Sequence, residues 1–238
     1  MKKIILTLLV LGLLCPGLMA EEKISIDTIL TKTIASYEQL HDYTCILNKR
    51  ELVKGKILEQ KNIIVKFKKP LCIYLKWTEG SDKGTEAIYV QGKYKNELQV
   101  HKGGFLNIYN FSLDPKGKLA MKNNRHNITE AYIGQIVYLI KSNYDLYKKS
   151  GEGSITYEGM QDLDGVKTML FKATFPKGKG YYAQRMMISI DAKTYLPIRT
   201  EIYGWQNEFL EMYHYSKIKL NIGLTDKDFD INNPAYNF

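Results

Sequence analysis

Apolar residues at Ile26, Ile29, Leu30, Ile34, Tyr37 and Leu40 fall on one side of a helix over residues 25–40, and Ser25 is placed to cap its start. From Tyr43 the period drops to two. Tyr43 to Val53 and Lys56 to Phe67 alternate around Lys54-Gly55, which predicts a hairpin. Further strands are predicted at Leu71 to Trp77, Glu86 to Val90 and Glu97 to His101. Helical spacing returns at Ile128 to Ser142. There Asn127 and Glu130 have the spacing of a capping box, and Ala131, Ile136, Val137 and Ile140 supply an apolar face. Strand patterns resume at Ser154 to Met160, Val166 to Phe175, Tyr181 to Ile190, Leu196 to Gly204 and Phe209 to Leu220. The turns between them are short, so neighbouring strands should pair. The expected fold is mainly β: one antiparallel curved sheet of about ten strands, a half-barrel, with two helices on its concave face. No Pro- or Ser-rich linker or internal repeat divides residues 21–238, which read as a single domain.

The strand faces carry more information than the strand count. One face collects Ile63, Val65, Phe67, Ile73, Leu75, Trp77, Ile88, Val90, Phe171, Phe175, Met186, Ile188, Ile190, Leu210, Met212 and Ile218. The other carries Lys66, Lys76, Lys172, Gln184, Glu211 and Lys217. A sheet this wide coils under its own twist, and two helices are a modest cover for so much apolar surface. Either the barrel is tightly filled or it leaves a lined cavity.

Several segments resemble the LolA/LolB-type lipoprotein carriers and their relatives, which include sensor domains of a periplasmic anti-sigma-factor regulator. They are Val65-Lys66-Phe67-Lys68-Lys69-Pro70 leading into Ile73-Tyr74-Leu75-Lys76-Trp77, then Tyr89-Val90-Gln91-Gly92-Lys93, Ile188-Ser189-Ile190-Asp191, Leu196-Pro197 and Thr225-Asp226-Lys227-Asp228-Phe229. Asp42-Tyr43-Thr44-Cys45, residues 124–131 and the closing Asn233-Pro234-Ala235-Tyr236-Asn237-Phe238 are similar to an uncharacterised family of LolA-like exported bacterial proteins. The resemblance implies an open half-barrel that takes a lipid or the acyl chains of a lipoprotein. It implies equally a sensor or assembly module with a filled core that binds an envelope protein.

The start of the chain sets the expected compartment. Lys2-Lys3, the apolar run Ile4 to Leu14, the break at Cys15-Pro16-Gly17 and Leu18-Met19-Ala20 before Glu21-Glu22 have the three parts of a secretory signal peptide. Cleavage is expected after Ala20, leaving a periplasmic protein read as a monomer. The full chain carries a formal net charge of +9, with Lys2 and Lys3 contributing two of those charges. A basic balance could serve transient contact with an anionic membrane surface or an acidic partner, but the lysines are scattered, which suits a solvated basic surface; nucleic acid is not an expected partner. Cys45 and Cys72 remain after cleavage. Cys45 alternates with Tyr43 and Leu47, whereas Cys72 alternates with Tyr74 and Lys76, opposite Ile73 and Leu75. That parity predicts two free thiols on opposite faces, unless Pro70 breaks the register.

No Gly-rich phosphate loop, His-Glu-x-x-His, Cys-x-x-Cys or Gly-x-Ser-x-Gly is present, so neither an enzyme nor a cofactor site is expected. Arg125, His126 and Glu130 form the one polar cluster. Their first reading is structural, with Glu130 closing the capping box. A second has Arg125 and His126 holding a ligand head group at the cavity rim. A third joins His126 and Glu130 to His101 as metal ligands or catalytic groups. The connection from His101 to Asn127 lacks regular pattern but contains Phe105, Leu106, Ile108 and Phe111, and serves either as a plug or as a lid. The expected ligand-binding residues are Phe67, Leu75, Trp77, Phe105, Leu106, Ile108, Phe111, Arg125 and His126.

Overall fold

The computed structural model describes residues 24–104 and 109–238. The leader-like segment and the expected ligand contacts Phe105, Leu106 and Ile108 lie outside the described residues. Helix α1 (Ile26–Glu38) starts where the sequence predicts, with the Ser25 hydroxyl accepting the Thr28 N–H at 3.3 Å. Strands β1 (Asp42–Val53), β2 (Lys56–Lys68), β3 (Cys72–Trp77), β4 (Glu86–Val90), β5 (Leu98–His101) and β6 (Asn110–Leu113) follow. After α2 (Ile133–Ser150) come β7 (Ser154–Leu163), β8 (Val166–Thr174), β9 (Arg185–Asp191), β10 (Pro197–Tyr203) and β11 (Phe209–Leu220).

All eleven strands form one sheet, in the order β6-β5-β4-β3-β2-β1-β11-β10-β9-β8-β7. Each hairpin pairs neighbours in sequence. The antiparallel β1–β11 pairing then joins the two halves, leaving β6 and β7 as open edges. The sheet is therefore an open half-barrel. Both helices lie on its concave side, and their apolar residues join two adjoining cores, one built on β1–β5 and the other on β8–β10. Among the described residues, no helix is long and apolar enough to cross a membrane.

Four expectations need correction. The first concerns the connection after His101: it is not patternless but contains β6, whose four residues are too few to show a period, and the sheet of about ten strands has eleven. The second is the start of the second helix. Asn127 caps only a short 3-10 turn, Ile128–Glu130. Tyr132 is extended, its ring stacks 5.0 Å from that of Phe67, and the Ile133 N–H donates to the buried Tyr43 hydroxyl at 3.1 Å. Helix α2 therefore begins at Ile133. It continues past Ser142 to Ser150, where Gly151 closes it with a left-handed φ of 67°.

The third correction concerns β4. All five of its residues are buried, and apart from Glu86, which pairs with Lys76, both faces are apolar, so alternation alone does not show which face meets the concave core. Ala87 and Tyr89 face the concave core, while Ile88 and Val90 face outward. There, with Cys72 and Tyr74, they pack under the C-terminal segment through Phe229, Tyr236 and Phe238. The fourth concerns β11. Glu211 is buried on the concave side and Met212 faces out, paired with Arg50. A carboxylate is tolerated inside because cations and hydroxyls surround it.

Strand parity does hold for the cysteines. β2 and β3 pair without a register shift, Cys45 lies in the concave core and Cys72 under the C-terminal segment, and both are free and buried.

Candidate ligand cavity

Alternation along β1–β5 sends Leu47, Ile63, Leu75, Trp77, Ala87, Leu98 and Val100 to the same side. Phe111 and Leu113 of the edge strand β6, paired with Val100 and Leu98, extend that face, and over it the connection after β6 lays Leu119, Ala120 and Ile128. Between the two layers is a cavity of about 400 Å³. Its rim is polar, with Lys102, Asp82, Lys122 and Asn123, and the Lys102 ammonium pairs with Asp82 at 2.6 Å. The Trp77 indole N–H and the Gln60 amide oxygen in its wall have no partner among the described residues.

Of the expected ligand contacts, Leu75, Trp77, Phe111 and His126 line this cavity. Phe67 does not. It is fully buried between the rings of Tyr43 and Tyr132, each 5.0 Å away, and so belongs to the packed core. Arg125 does not line it either; it belongs with His126 to a polar cluster around Glu211 that is larger than the sequence suggested.

That cluster starts from the turn that Asn127 caps. Asn127 Oδ1 accepts the Thr129 N–H at 2.8 Å, and its Nδ2 donates to Glu130 Oε1 at 2.7 Å. This leaves Glu130 Oε2 for His126 Nδ1, at 2.7 Å. The other imidazole nitrogen, Nε2, lies 2.8 Å from Glu211 Oε2 and 3.0 Å from the Tyr182 hydroxyl. Tyr182 also donates to Glu211 Oε1 at 2.8 Å, and Arg125 Nε lies 2.7 Å from Glu211 Oε2, close but not aligned as a hydrogen bond. On β1, Glu51 takes the Lys49 ammonium at 2.9 Å and the Tyr213 hydroxyl, while Lys49 reaches Asn124 at 2.7 Å.

Three carboxylates (Glu51, Glu130, Glu211) thus face Lys49, Arg125 and His126, whose pKa burial pulls down but Glu211 and Glu130 raise against that pull. Burial raises the Glu51 pKa, but the Lys49 charge and the Tyr213 and Lys49 hydrogen bonds outweigh it, so the net value falls below the ordinary one. Burial holds the Tyr213 and Tyr182 phenols protonated, pushing both upward. Because Arg125 and His126 already meet protein carboxylates, a ligand head group there would have to displace Glu130 or Glu211.

His101 is not part of this arrangement. It pairs with Glu86 across β4–β5, bonds Asn110 at 2.9 Å and meets the Phe238 ring, all on the convex side. The joint metal or catalytic reading of His101, His126 and Glu130 fails on that placement. Among the described residues no group of three or more His, Cys, Asp or Glu is placed to hold a metal. The sequence reading overlooked Lys49, Glu51, Tyr182 and Tyr213. The signal for the first two was present: Tyr43, Cys45, Leu47, Lys49 and Glu51 share one parity, and it runs from core residues straight into the charges.

Beyond His126 lies a second cavity of about 310 Å³, between α2 and β10–β11, lined by Tyr138, Leu139, Tyr182, Thr200 and Tyr215. His126 lines both cavities. Under α1, against β8 and β9, the remaining void is only about 50 Å³ and almost wholly apolar.

Residues 40–238 match the model of a family described as a protein of unknown function, DUF1571. The chain belongs to that family. Among solved structures, this DUF1571 protein is similar to the Mycobacterium tuberculosis lipoprotein LppX, at 14% identity over 87% of this chain and 100% of that one, with a TM-score of 0.50. A LolA superfamily protein from Nitrosomonas europaea is 13% identical, over 87% of this chain and 98% of that one, with a TM-score of 0.35. The Pseudomonas aeruginosa MucA/MucB complex is 10% identical, over 85% of this chain and 59% of that one, with a TM-score of 0.45. At such identities the likeness concerns the fold alone, here the open half-barrel described above. No curated protein matches the chain.

Proposed function

We propose that this protein is a periplasmic carrier or binding protein for an acyl chain, either a free lipid or the lipid part of a lipoprotein. The observation that carries the reading is the cavity of about 400 Å³ between β1–β6 and the connection that follows β6. It falls in the size range of small-ligand pockets, about 300–1,000 Å³. Its walls are mostly aliphatic and aromatic, with the Gln60 amide oxygen and the Trp77 indole N–H set among them. Burial of an acyl chain yields about 0.8 kcal/mol per methylene, so affinity needs no charged anchor inside. The polar end of the ligand would sit by Lys122 and Asn123, because Arg125 and His126 are already paired. The activity proposed is binding without a chemical step, and the periplasmic setting rests on the leader-like pattern of residues 1–20.

A protein-binding module with a filled core is the second reading, and the packing beneath α1 favours it, since only about 50 Å³ is empty there. Native mass spectrometry with lipid extraction separates the two. A co-purified lipid, and fluorescence from Trp77 that shifts with an acyl-chain probe, support the carrier. Ala87→Phe, which fills the cavity from its wall, should abolish probe binding while the circular dichroism stays that of the unmodified protein. A bare protein that ignores the probe leaves the protein-binding module.

A further inference from the structure

At the open edge of the cavity, β6 and the connection after it present apolar side chains that nothing within the described fold covers. Tyr109 is 51% exposed, Phe111 43% and Leu119 71%, all on or beside the connection that closes the cavity. Tyr109 and Phe111 lie side by side, their ring centroids 6.4 Å apart. Phe111, on the edge strand β6, and Leu119 also line the cavity, so these exposed side chains stand at its open edge. Isolated apolar residues on a surface are ordinary, but three at the mouth of a cavity mark a contact site.

Charge identifies the partner. Lys116, Lys118 and Lys122 are exposed in the same connection as Leu119, and Asp114 is the acidic residue among them. Asp114 is turned toward its own backbone, accepting the Lys116 N–H at 2.9 Å. Arg125 is neutralised by Glu211 and Lys102 by Asp82, so neither adds to or opposes the field of the three lysines. Exposed aromatic and aliphatic side chains in a stretch that also exposes three lysines match a bilayer interface, where the apolar groups enter the boundary layer and the ammonium groups meet anionic headgroups. An acidic protein surface would satisfy the lysines but would leave Leu119, the most exposed of the three apolar residues, without an apolar partner.

We infer that this rim docks on an anionic lipid bilayer, with Tyr109, Phe111 and Leu119 entering the interface and Lys116, Lys118 and Lys122 lying at headgroup level. The purpose of docking rests on the acyl-carrier reading, because it brings the cavity mouth to the depth where acyl chains begin. The geometry of docking does not depend on that reading.

Flotation with vesicles of phosphatidylcholine alone, or of phosphatidylcholine with phosphatidylglycerol, tests the inference on the full mature protein. Binding is expected to the anionic vesicles only, and should fall as salt screens the headgroup charge. Tyr109→Ser with Lys116→Glu and Lys118→Glu changes no residue of the cavity wall. That variant should bind anionic vesicles about a hundredfold more weakly, while retaining the circular dichroism and the acyl-probe affinity of the unmodified protein. Equal binding to both vesicle types, binding to neither, or full binding by the variant would overturn docking. Docking with no uptake of the acyl probe in vesicle-free solution would support the surface and defeat the carrier; the reverse pattern would defeat the surface alone.

Discussion

His126 Nε2 and Glu211 Oε2 meet at 2.8 Å, joining the turn that leads into α2 to strand β11. The contact lies where the two larger cavities adjoin, since both residues line the second and His126 lines both. With Nδ1 on Glu130, the ring has a carboxylate at each nitrogen, and only the protonated imidazole donates to both. The cluster thus acts as a clasp between the cavity roof and the sheet.

Proton linkage follows from this clasp. Burial pulls the His126 pKa down, but the hydrogen bond and charge of Glu211, followed by those of Glu130, outweigh it and leave it above the ordinary 6.5. Because the folded value is raised, the stabilisation is fully present below the unfolded pKa and is lost as pH rises through the folded one. Thermal melts should show stability declining from about pH 6.5 upward, by roughly 1 kcal/mol given the partial exposure of the ring. His126→Gln should flatten that slope. Superimposable pH profiles for the two proteins would show that the imidazole is not protonated in the clasp.

Two thiols on opposite faces give a second test. Cys45 is buried in the concave core and Cys72 beneath the C-terminal segment, and burial raises both thiol pKa values. Alkylation should therefore be slow in the native protein and complete for both residues after denaturation without reductant. Recovery of labelling only after reduction would mean that the register around Pro70 differs from the one described.

The sequence disclosed those parts of the fold in which one face is apolar and the other polar. Alternation in β2 and the helical stripe of α1 are of that kind, and their limits agree with the structure to within a residue or two. It failed where both faces are buried. Ile88 and Val90 share β4 with Ala87 and Tyr89, and only the distant C-terminal segment decides which pair faces out. Glu211 was misplaced for a related reason: its cations, Arg125 and His126, come from another part of the chain, and no local pattern announces that pairing. The cavity residues Leu75 and Trp77 were legible because they follow strand parity, whereas Phe67, on the same parity, is stacked by Tyr132 and fills space instead of lining it.

The convex-face core should contribute stability without affecting the cavity. Phe229 is 2% exposed and packs with Cys72, Tyr74, Ile88 and Val90, while the Tyr236 ring stacks 4.3 Å from Tyr74. Phe229→Ala should lower unfolding free energy by about 3–5 kcal/mol in urea titrations. Acyl-probe affinity of the folded fraction should remain unchanged, because the residue lies across the sheet from the ligand. A comparable loss of probe affinity would show that the convex clamp shapes the cavity.

Gly103 fixes the start of the cavity roof against the β3–β4 loop. Its N–H donates to the Thr85 hydroxyl at 3.2 Å, and a Cβ added there would lie 2.3 Å from the Gly84 carbonyl carbon and the Lys83 oxygen and 2.4 Å from the Thr85 nitrogen. These are backbone atoms, so no rotamer change relieves the clash; the two loops have to separate. Separation would also draw Lys102 from Asp82 at the rim, where they now pair at 2.6 Å. Gly103→Ala should therefore destabilise the protein by about 1–3 kcal/mol, as overpacking does. It should also speed release of an acyl probe, measured by displacement, because the roof loses its fixed starting point. Lys83→Ala is the control: it shortens a side chain but leaves untouched the Lys83 carbonyl that a Cβ on residue 103 would meet, so it should have little effect. If Gly103→Ala were as stable as the unmodified protein and released the probe at the same rate, the close approach of the two loops could not be what holds the roof in place.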